Sequence, residues 1–319
     1  MFFDTHSHVN FNAYKDDGED VLRRCLENGI NVVNVGSQYS TSKRAVEYAH
    51  RFDPHTNGSK ESVGGKIFDA KNDTLSVGVY AAIGIHPVHL KKGSFTHIDP
   101  WEIDTEPARN ATHASASLHS VAGGEEIPTV GEQFEYEKYL ELAKDEKVVA
   151  IGEIGLDYHH FEEGDDEEFL KNLQKETLIE FIKLANEVQK PVMLHCWDGY
   201  DDLLEILIAH PVAKKGIVHS FIGSYKTANK FIELGYMIGL NGIITYGESY
   251  DRLIKEVDLK NIVIETDCPY LTPRPLERGI RNEPLFVKEV AQKIADVKGI
   301  SLEEVAEATT QNAKRVLSL

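Results

Sequence analysis

Eight short apolar runs alternate with amphipathic segments along the chain, and that alternation restricts the fold more than any other feature of the sequence. The runs cover residues 2–9, 30–36, 75–86, 148–157, 191–196, 216–221, 236–242 and 262–269. Helical periodicity covers residues 14–28, 40–52, 132–145, 168–189, 199–210, 224–234, 246–257, 283–297 and 301–317. Strands that are apolar on both sides and separated by helices belong to a parallel sheet covered by helices. Eight such units predict an α/β fold, a closed (β/α)8 TIM barrel in a single domain spanning residues 1–319. A doubly wound sheet is the rival, but it usually carries a glycine-rich phosphate turn after its first strand, and none is present here. Two polar stretches, about 53–74 and 91–131, break the rhythm and read as insertions; the second is rich in Ala, Ser, His and Gly.

With 41% hydrophobic and 27% charged residues, the chain has ample material for a core, which excludes disorder as the default. No apolar run approaches the roughly 18 residues of a membrane span, and the first residues lack the basic and apolar regions of a secretory leader. Cys25, Cys196 and Cys268 are too few and too scattered for a disulfide framework. A reducing, cytoplasmic setting is therefore expected, with the nucleus left open, and the sequons at Asn57, Asn72 and Asn110 are expected to stay unmodified. Lys and Arg number 34 against 52 Asp and Glu, a formal charge of −18. That balance argues against coating duplex nucleic acid by counterion release, while it allows a local phosphate contact made through cations. No membrane and no obligate protein partner is expected.

The placement of the histidines carries the chemistry. His6 and His8 lie two residues apart near the end of the first run, so both imidazoles point to one side of a strand and can converge on one metal. Glu153 sits in an apolar, glycine-flanked strand, where a carboxylate is costly to bury unless it is paired or binds metal. His195, His219 and Asp267 end the fifth, sixth and eighth runs. Each alone has a plainer reading, as a core histidine or half of an internal salt bridge. In a barrel, however, all of these strand ends share the C-terminal mouth, where barrel active sites are built. Imidazoles mixed with carboxylates suit one or two divalent cations, with Zn²⁺, Mn²⁺ and Mg²⁺ all compatible. A shared Glu153 could bridge two metals about 3.5–4 Å apart, the spacing used for in-line displacement.

The motifs around these residues resemble those of the TatD family of metal-dependent deoxyribonucleases, within the broader metallo-hydrolase barrels. Asp4-Thr5-His6-Ser7-His8 resembles the opening motif and Gly84-Ile85-His86-Pro87 the third-strand motif. Gly152-Glu153-Ile154-Gly155-Leu156-Asp157 is similar to the fourth-strand motif, and Glu265-Thr266-Asp267-Cys268-Pro269-Tyr270-Leu271 with Arg281-Asn282-Glu283-Pro284 to the C-terminal pair. The resemblance runs from Phe3 to about Leu317. It implies a (β/α)8 barrel, one or two divalent metals with Mg²⁺ expected, and exonuclease-type hydrolysis of DNA. Two departures stand out. After His195 the family commonly has an arginine two residues on, where this chain reads Cys196-Trp197; after His219 it commonly has Cys-Phe-Ser-Gly, where this chain reads Ser220-Phe221-Ile222-Gly223. Neither removes a candidate ligand, but the missing arginine bears on phosphate positioning and allows a different substrate preference.

These readings combine into a specific expectation. His6, His8, Glu153 and Asp267 would form one metal site, and Glu153, His195 and His219 a second, with Asp267 as general base toward an attacking water. His86 is assigned to substrate contact or to support of a ligand. Arg274, Arg278 and Arg281 follow the eighth run and read either as a phosphate clamp, with Arg281 and Arg278 holding phosphate, or as a solvated basic loop. Trp197 would stack on a base or pack against the neighbouring helix. DNA is the expected partner, gripped at strand ends or as single strands through local phosphate contacts. Hydrolysis of another ester or an amide, including an aminoacyl-tRNA ester, is the enzymatic alternative, and a metal-free binding barrel the non-catalytic one.

Overall fold

Strand β1 (Phe2–Ser7) opens a sheet in which every neighbouring pair runs parallel. It is followed by α1 (Gly18–Glu27), β2 (Ile30–Val35), α2 (Tyr39–Arg51) and β3 (Val79–Ile83). After β3 come β4 (Lys92–Thr96) and β5 (Glu126–Val130), then α3 (Tyr136–Ala143), β6 (Val148–Asp157), α4 (Glu167–Val188), β7 (Val192–Trp197) and α5 (Tyr200–Ala209). The remainder is β8 (Gly216–Val218), α6 (Tyr225–Glu233), β9 (Met237–Leu240), α7 (Asp251–Glu256), β10 (Ile262–Ile264), α8 (Val287–Lys298) and α9 (Leu302–Leu317). This computed structural model describes residues 1–52, 77–96, 126–277 and 279–319. The first expected insertion and most of the second lie outside the described residues; the ends of the second pair with each other as the antiparallel ribbon β4–β5, Lys92 opposite Val130.

Eight strands form one sheet in the order β1-β2-β3-β6-β7-β8-β9-β10. Hydrogen bonds between β1 and the segments that continue the two outer strands bring the ends together: Asp267 N–H donates to the His6 carbonyl at 2.9 Å and His8 N–H to the Cys268 carbonyl at 2.9 Å. The Asp4 carboxylate accepts from Thr266 N–H at 3.0 Å and from the Thr266 hydroxyl at 2.6 Å across the same seam. The result is the expected eight-stranded TIM barrel.

The apolar runs sort into two layers because successive strand side chains point to opposite faces. Val32, Ala81, Ile151, Leu194, Val218, Ile238 and Ile264 pack under the helices. Phe3, Val33, Val35, Ala82, Val149, Met193, Ile217, Met237 and Val263 form a separate cluster inside the barrel, met by Ala313 and Leu317 of α9. Each large aliphatic side chain so buried contributes roughly 1.5–3 kcal/mol. Helix α9 starts in a reciprocal cap, Ser301 with Glu304, and its Asn312 side chain donates to the carbonyls of Leu259 and Ile262 at 2.8 Å each. It therefore covers the end where β10 begins and leaves the other end, where the strands finish, as the mouth.

All three cysteines are free and buried. Among the described residues no helix is long and apolar enough to cross a membrane.

Candidate metal centre at the barrel mouth

Strand β6 carries the centre of the site. All ten of its residues are buried, and Glu153 is 4% exposed. Its neighbours can come close because of two glycines. A Cβ on Gly155 (φ +150°) would lie 1.9 Å from the His195 carbonyl oxygen, and one on Gly239 would lie 2.5 Å from Glu265 Oε2. Bare backbone at these positions lets β7 approach β6, and leaves room beside His219 for a buried carboxylate.

The two oxygens of Glu153 face different partners. Oε2 lies 3.5 Å from His6 Nε2 and 3.7 Å from His8 Nε2. Asp267 Oδ1 completes that group at 3.8 Å from His6 Nε2 and 3.4 Å from His8 Nε2, and the two histidine nitrogens are themselves 3.2 Å apart. Oε1 turns the other way, 2.7 Å from His219 Nε2, 3.1 Å from His195 Nδ1 and 3.5 Å from His86 Nε2. The rings of His6 and His219 stack at 3.8 Å between the two groups.

This donor set fits a cation. His8 Nδ1 sits 2.9 Å from the Val35 carbonyl oxygen, which can only accept, so Nδ1 carries the proton and a neutral ring turns a bare Nε2 inward. A lone pair there meets another imidazole nitrogen and two carboxylate oxygens. Atoms that ligate one zinc-sized ion at about 2.0–2.2 Å lie roughly 3–3.6 Å from one another, close to the separations found in both groups. His6, His8 and Asp267 form one candidate metal-binding cluster, and His6, Glu153 and His219 another.

The protonation preferences point the same way. Burial raises the Glu153 carboxyl, but the surrounding imidazoles, His86, His219 and His6 foremost, outweigh it and hold it well below the usual range. For Asp267 burial likewise opposes ionisation, and contact with His8 and the fields of His219 and His6 bring it to about 2. Burial disfavours charge on His195, yet the carboxylates of Asp157 and Glu153 raise it to about 9. His219 is raised well above its ordinary value by Glu153 and Glu265 against the same burial. On the His195 and His219 side the carboxylates thus favour positive charge, whereas at His6 burial and the neighbouring His219 lower the proton affinity.

All six expected ligands, His6, His8, Glu153, His195, His219 and Asp267, are thus brought together. His86 joins them: its Nδ1 accepts from Val88 N–H at 3.2 Å, which leaves the proton of a neutral ring on Nε2, facing Glu153. Burial first, then the nearby His195, lowers its proton affinity well below the ordinary histidine value. Trp197 is half-buried and lies over His159, ring centroids 4.3 Å apart, with His160 edge-on at 5.2 Å. These two histidines lie between β6 and α4.

Arg281 is not brought to the cluster. Its guanidinium forms a bidentate pair with Asp17, donates to the Ala13 carbonyl and lies 4.2 Å from the centre of the Tyr14 ring. The expectation of a phosphate clamp is corrected at this residue, because its donors already tie the loop after β10 to the start of α1. Arg278 lies outside the described residues. Replacing Arg281 by alanine is expected to lower stability by about 1–2 kcal/mol through the lost pair and ring contact. Chemical denaturation of the two proteins checks this.

Sequence reasoning missed two buried carboxylates. Asp157, 1% exposed, contacts His195 and His160, and Glu265, fully buried, accepts from Ser220 N–H at 2.5 Å and faces His219 Nδ1 at 3.4 Å. The available signal was position: Asp157 follows Glu153 by four residues on one strand, and Glu265 precedes Asp267 by two.

Comparison with known proteins agrees with this geometry. Residues 66–318 match the family model described as TatD related DNase. The chain is 33% identical over 323 residues to the "Uncharacterized metal-dependent hydrolase YabD" of Bacillus subtilis, covering 100% of both chains. It is 37% identical over 189 residues to the "Uncharacterized metal-dependent hydrolase YcfH" of Escherichia coli, covering 58% of this chain and 69% of that one. The crystal structure of YJJV, a TATD homolog from Escherichia coli, superposes with a TM-score of 0.70 at 26% identity, covering 100% of this chain and 98% of that chain.

Proposed function

Because the chain belongs to the TatD related DNase family and is thereby a metal-dependent hydrolase, we propose that it hydrolyses phosphodiester bonds in DNA, exonuclease-wise on strand ends or single strands. The observation that carries this reading is the division of Glu153 between two imidazole groups, 2.7 Å from His219 on one oxygen and 3.5 Å from His6 on the other. His6, His8, Glu153 and Asp267 would hold one divalent cation, and Glu153, His195 and His219 a second; Mg²⁺ is the expected metal, with Zn²⁺ and Mn²⁺ as alternatives. Bound there, such cations supply Lewis acidity toward a phosphoryl oxygen and lower the pKa of water.

The protein's own groups do the rest. Asp267 is 15% exposed at its side chain and adjoins the first group, and in this reading it would accept the proton of an attacking water. His86, with Nε2–H beside Glu153, would donate to a non-bridging phosphate oxygen. The formal charge of −18 discourages wrapping of long duplex, which favours ends and short single strands.

End-labelled single- and double-stranded DNA, incubated with the chelated protein and with Mg²⁺, Mn²⁺ or Zn²⁺ restored, tests the reading. Stepwise shortening that requires metal is the expected result. Failure to cut any DNA, with hydrolysis of an aminoacyl-tRNA or other ester instead, would replace it.

Metal uptake should depend on pH in a definite direction. His195 is raised to about 9, so below that pH a cation must displace its proton. Affinity at the second group should therefore fall as pH falls, by up to about tenfold per pH unit for each proton displaced. Calorimetric titration with Zn²⁺ in buffers of different ionisation enthalpy measures both the affinity and the protons released.

A further inference from the structure

Resting on the metal-centre reading above, we propose that Asp157 is a positioning residue that selects the tautomer of His195, leaving Nδ1 for the second cation. The carboxylate is held from four directions. Oδ1 accepts the backbone N–H groups of His159 and His160 at 3.0 Å each. Oδ2 accepts from His160 Nδ1 at 2.7 Å and from His195 Nε2 at 3.1 Å. The strand itself is clamped at this residue: Asp157 N–H donates to Gln174 Oε1 at 2.8 Å, and Gln174 Nε2 donates to the Asp157 carbonyl at 2.9 Å.

A carboxylate only accepts when ionised, so both nitrogens of the metal-free His195 ring, each 3.1 Å from a carboxylate oxygen, carry protons; when a cation displaces the proton facing Glu153, Asp157 keeps the other on Nε2. The other nitrogen, Nδ1, lies 3.1 Å from Glu153 Oε1 and 3.4 Å from His219 Nε2, in the second group. Carboxylate partners of this kind set ring orientation and tautomer of a metal-binding histidine. His86, Asp157 and His195 also lie close enough together to suggest a third cation. The acceptor capacity of Asp157 argues against that use, since two amide and two imidazole protons already fill about four lone-pair positions.

The geometry makes Asp157→Asn a directional test. The two backbone N–H groups need an acceptor, so they fix the amide oxygen in the place of Oδ1. The NH2 group then occupies the place of Oδ2 and presents donors to His195 Nε2. His195 is driven to the Nδ1–H tautomer, with its proton aimed at Glu153 and its lone pair away from the second group.

Two measurements on the full chain read this out. Long-range ¹H–¹⁵N NMR near neutral pH should show the metal-free wild-type His195 ring protonated on both nitrogens and, once Zn²⁺ is added, on Nε2 alone, whereas metal-free Asp157→Asn should carry a neutral ring with its proton on Nδ1. Zn²⁺ titration by equilibrium dialysis should give two ions per wild-type chain, with one retained and the other weakened about 10–100-fold in the variant. His160→Gln keeps the contact between Asp157 and His195, and should retain both ions. Asp157→Ser, which keeps an oxygen near the two amides and removes the imidazole acceptor, serves if the asparagine variant does not fold, and should weaken the same ion. The proposal is overturned if Asp157→Asn keeps the wild-type His195 protonation and both affinities. It is also overturned if His160→Gln loses the same ion, or if a third Zn²⁺ binds the wild type and disappears from Asp157→Asn. A wild type that takes up fewer than two ions refutes the two-cation reading, while the NMR result still decides what Asp157 does to His195.

Discussion

Replacing Glu153 by alanine is expected to remove bound metal from both groups and to lower DNA cleavage by at least about 10³-fold. The reason is geometric. Glu153 is 4% exposed, and its two oxygens reach five imidazoles at 2.7–3.7 Å. No other described carboxylate spans both groups: Asp267 touches only the His6 and His8 side, while Asp157 and Glu265 stand behind His195 and His219. Its loss also leaves imidazoles crowded together without the charge that raises proton affinity at His219. His219→Ala, which disturbs one group, should show a smaller loss of both metal and turnover. Metal analysis of the purified variants beside cleavage of end-labelled oligonucleotide makes the comparison. Wild-type metal content and activity in Glu153→Ala would remove the shared carboxylate from the mechanism altogether.

Asp267→Asn should separate catalysis from binding. Asparagine keeps the shape and one oxygen but loses the charge and the basicity of the carboxylate. Turnover is expected to fall by about 10²–10⁴-fold, the contribution of a general base. Short single-stranded DNA should still bind within a few fold, because His195, His219 and Glu153 are untouched. Fluorescence anisotropy with a labelled oligonucleotide and gel-based cleavage under identical metal conditions give the two readings. Turnover that survives within a few fold would reduce Asp267 to a ligand. His86, the first alternative, would then have to act as a base from a ring whose Nδ1 already accepts the Val88 N–H at 3.2 Å.

Where the sequence reading overshot, local chain direction is the reason. The runs at residues 216–221 and 262–269 end in hydrogen-bonded strands only as far as Val218 and Ile264. Beyond them Ser220 and Asp267 adopt left-handed backbone, φ 44° and 58°, which turns the chain out of the sheet. Periodicity does not register such a kink, since the residues beyond it remain buried and largely apolar. The helix starts expected at Ser224 and Ser301 are instead the capping residues of α6 and α9, one position before the first helical turn. A serine side chain that accepts a helix N–H belongs to the same pattern in sequence, and only its extended backbone sets it apart.

The sequence by itself determined the eight barrel strands, the helices between them and the gathering of His6, His8, Glu153, His195, His219 and Asp267. Both follow from information carried within single segments. Runs that are apolar on both sides must be covered on both sides, and once eight such strands run parallel their ends have to share one mouth. Tertiary structure alone decided how the oxygens of Glu153 divide and that Asp157 and Glu265 stand behind two of the histidines. It also decided that Arg281 spends its donors on Asp17, 264 residues away in the chain. A hydrophobic pattern constrains which face of a segment is buried, because that preference is summed over many side chains and needs no particular partner. A buried hydrogen bond depends on one donor meeting one acceptor within a few tenths of an ångström, and that meeting exists only after distant segments have packed.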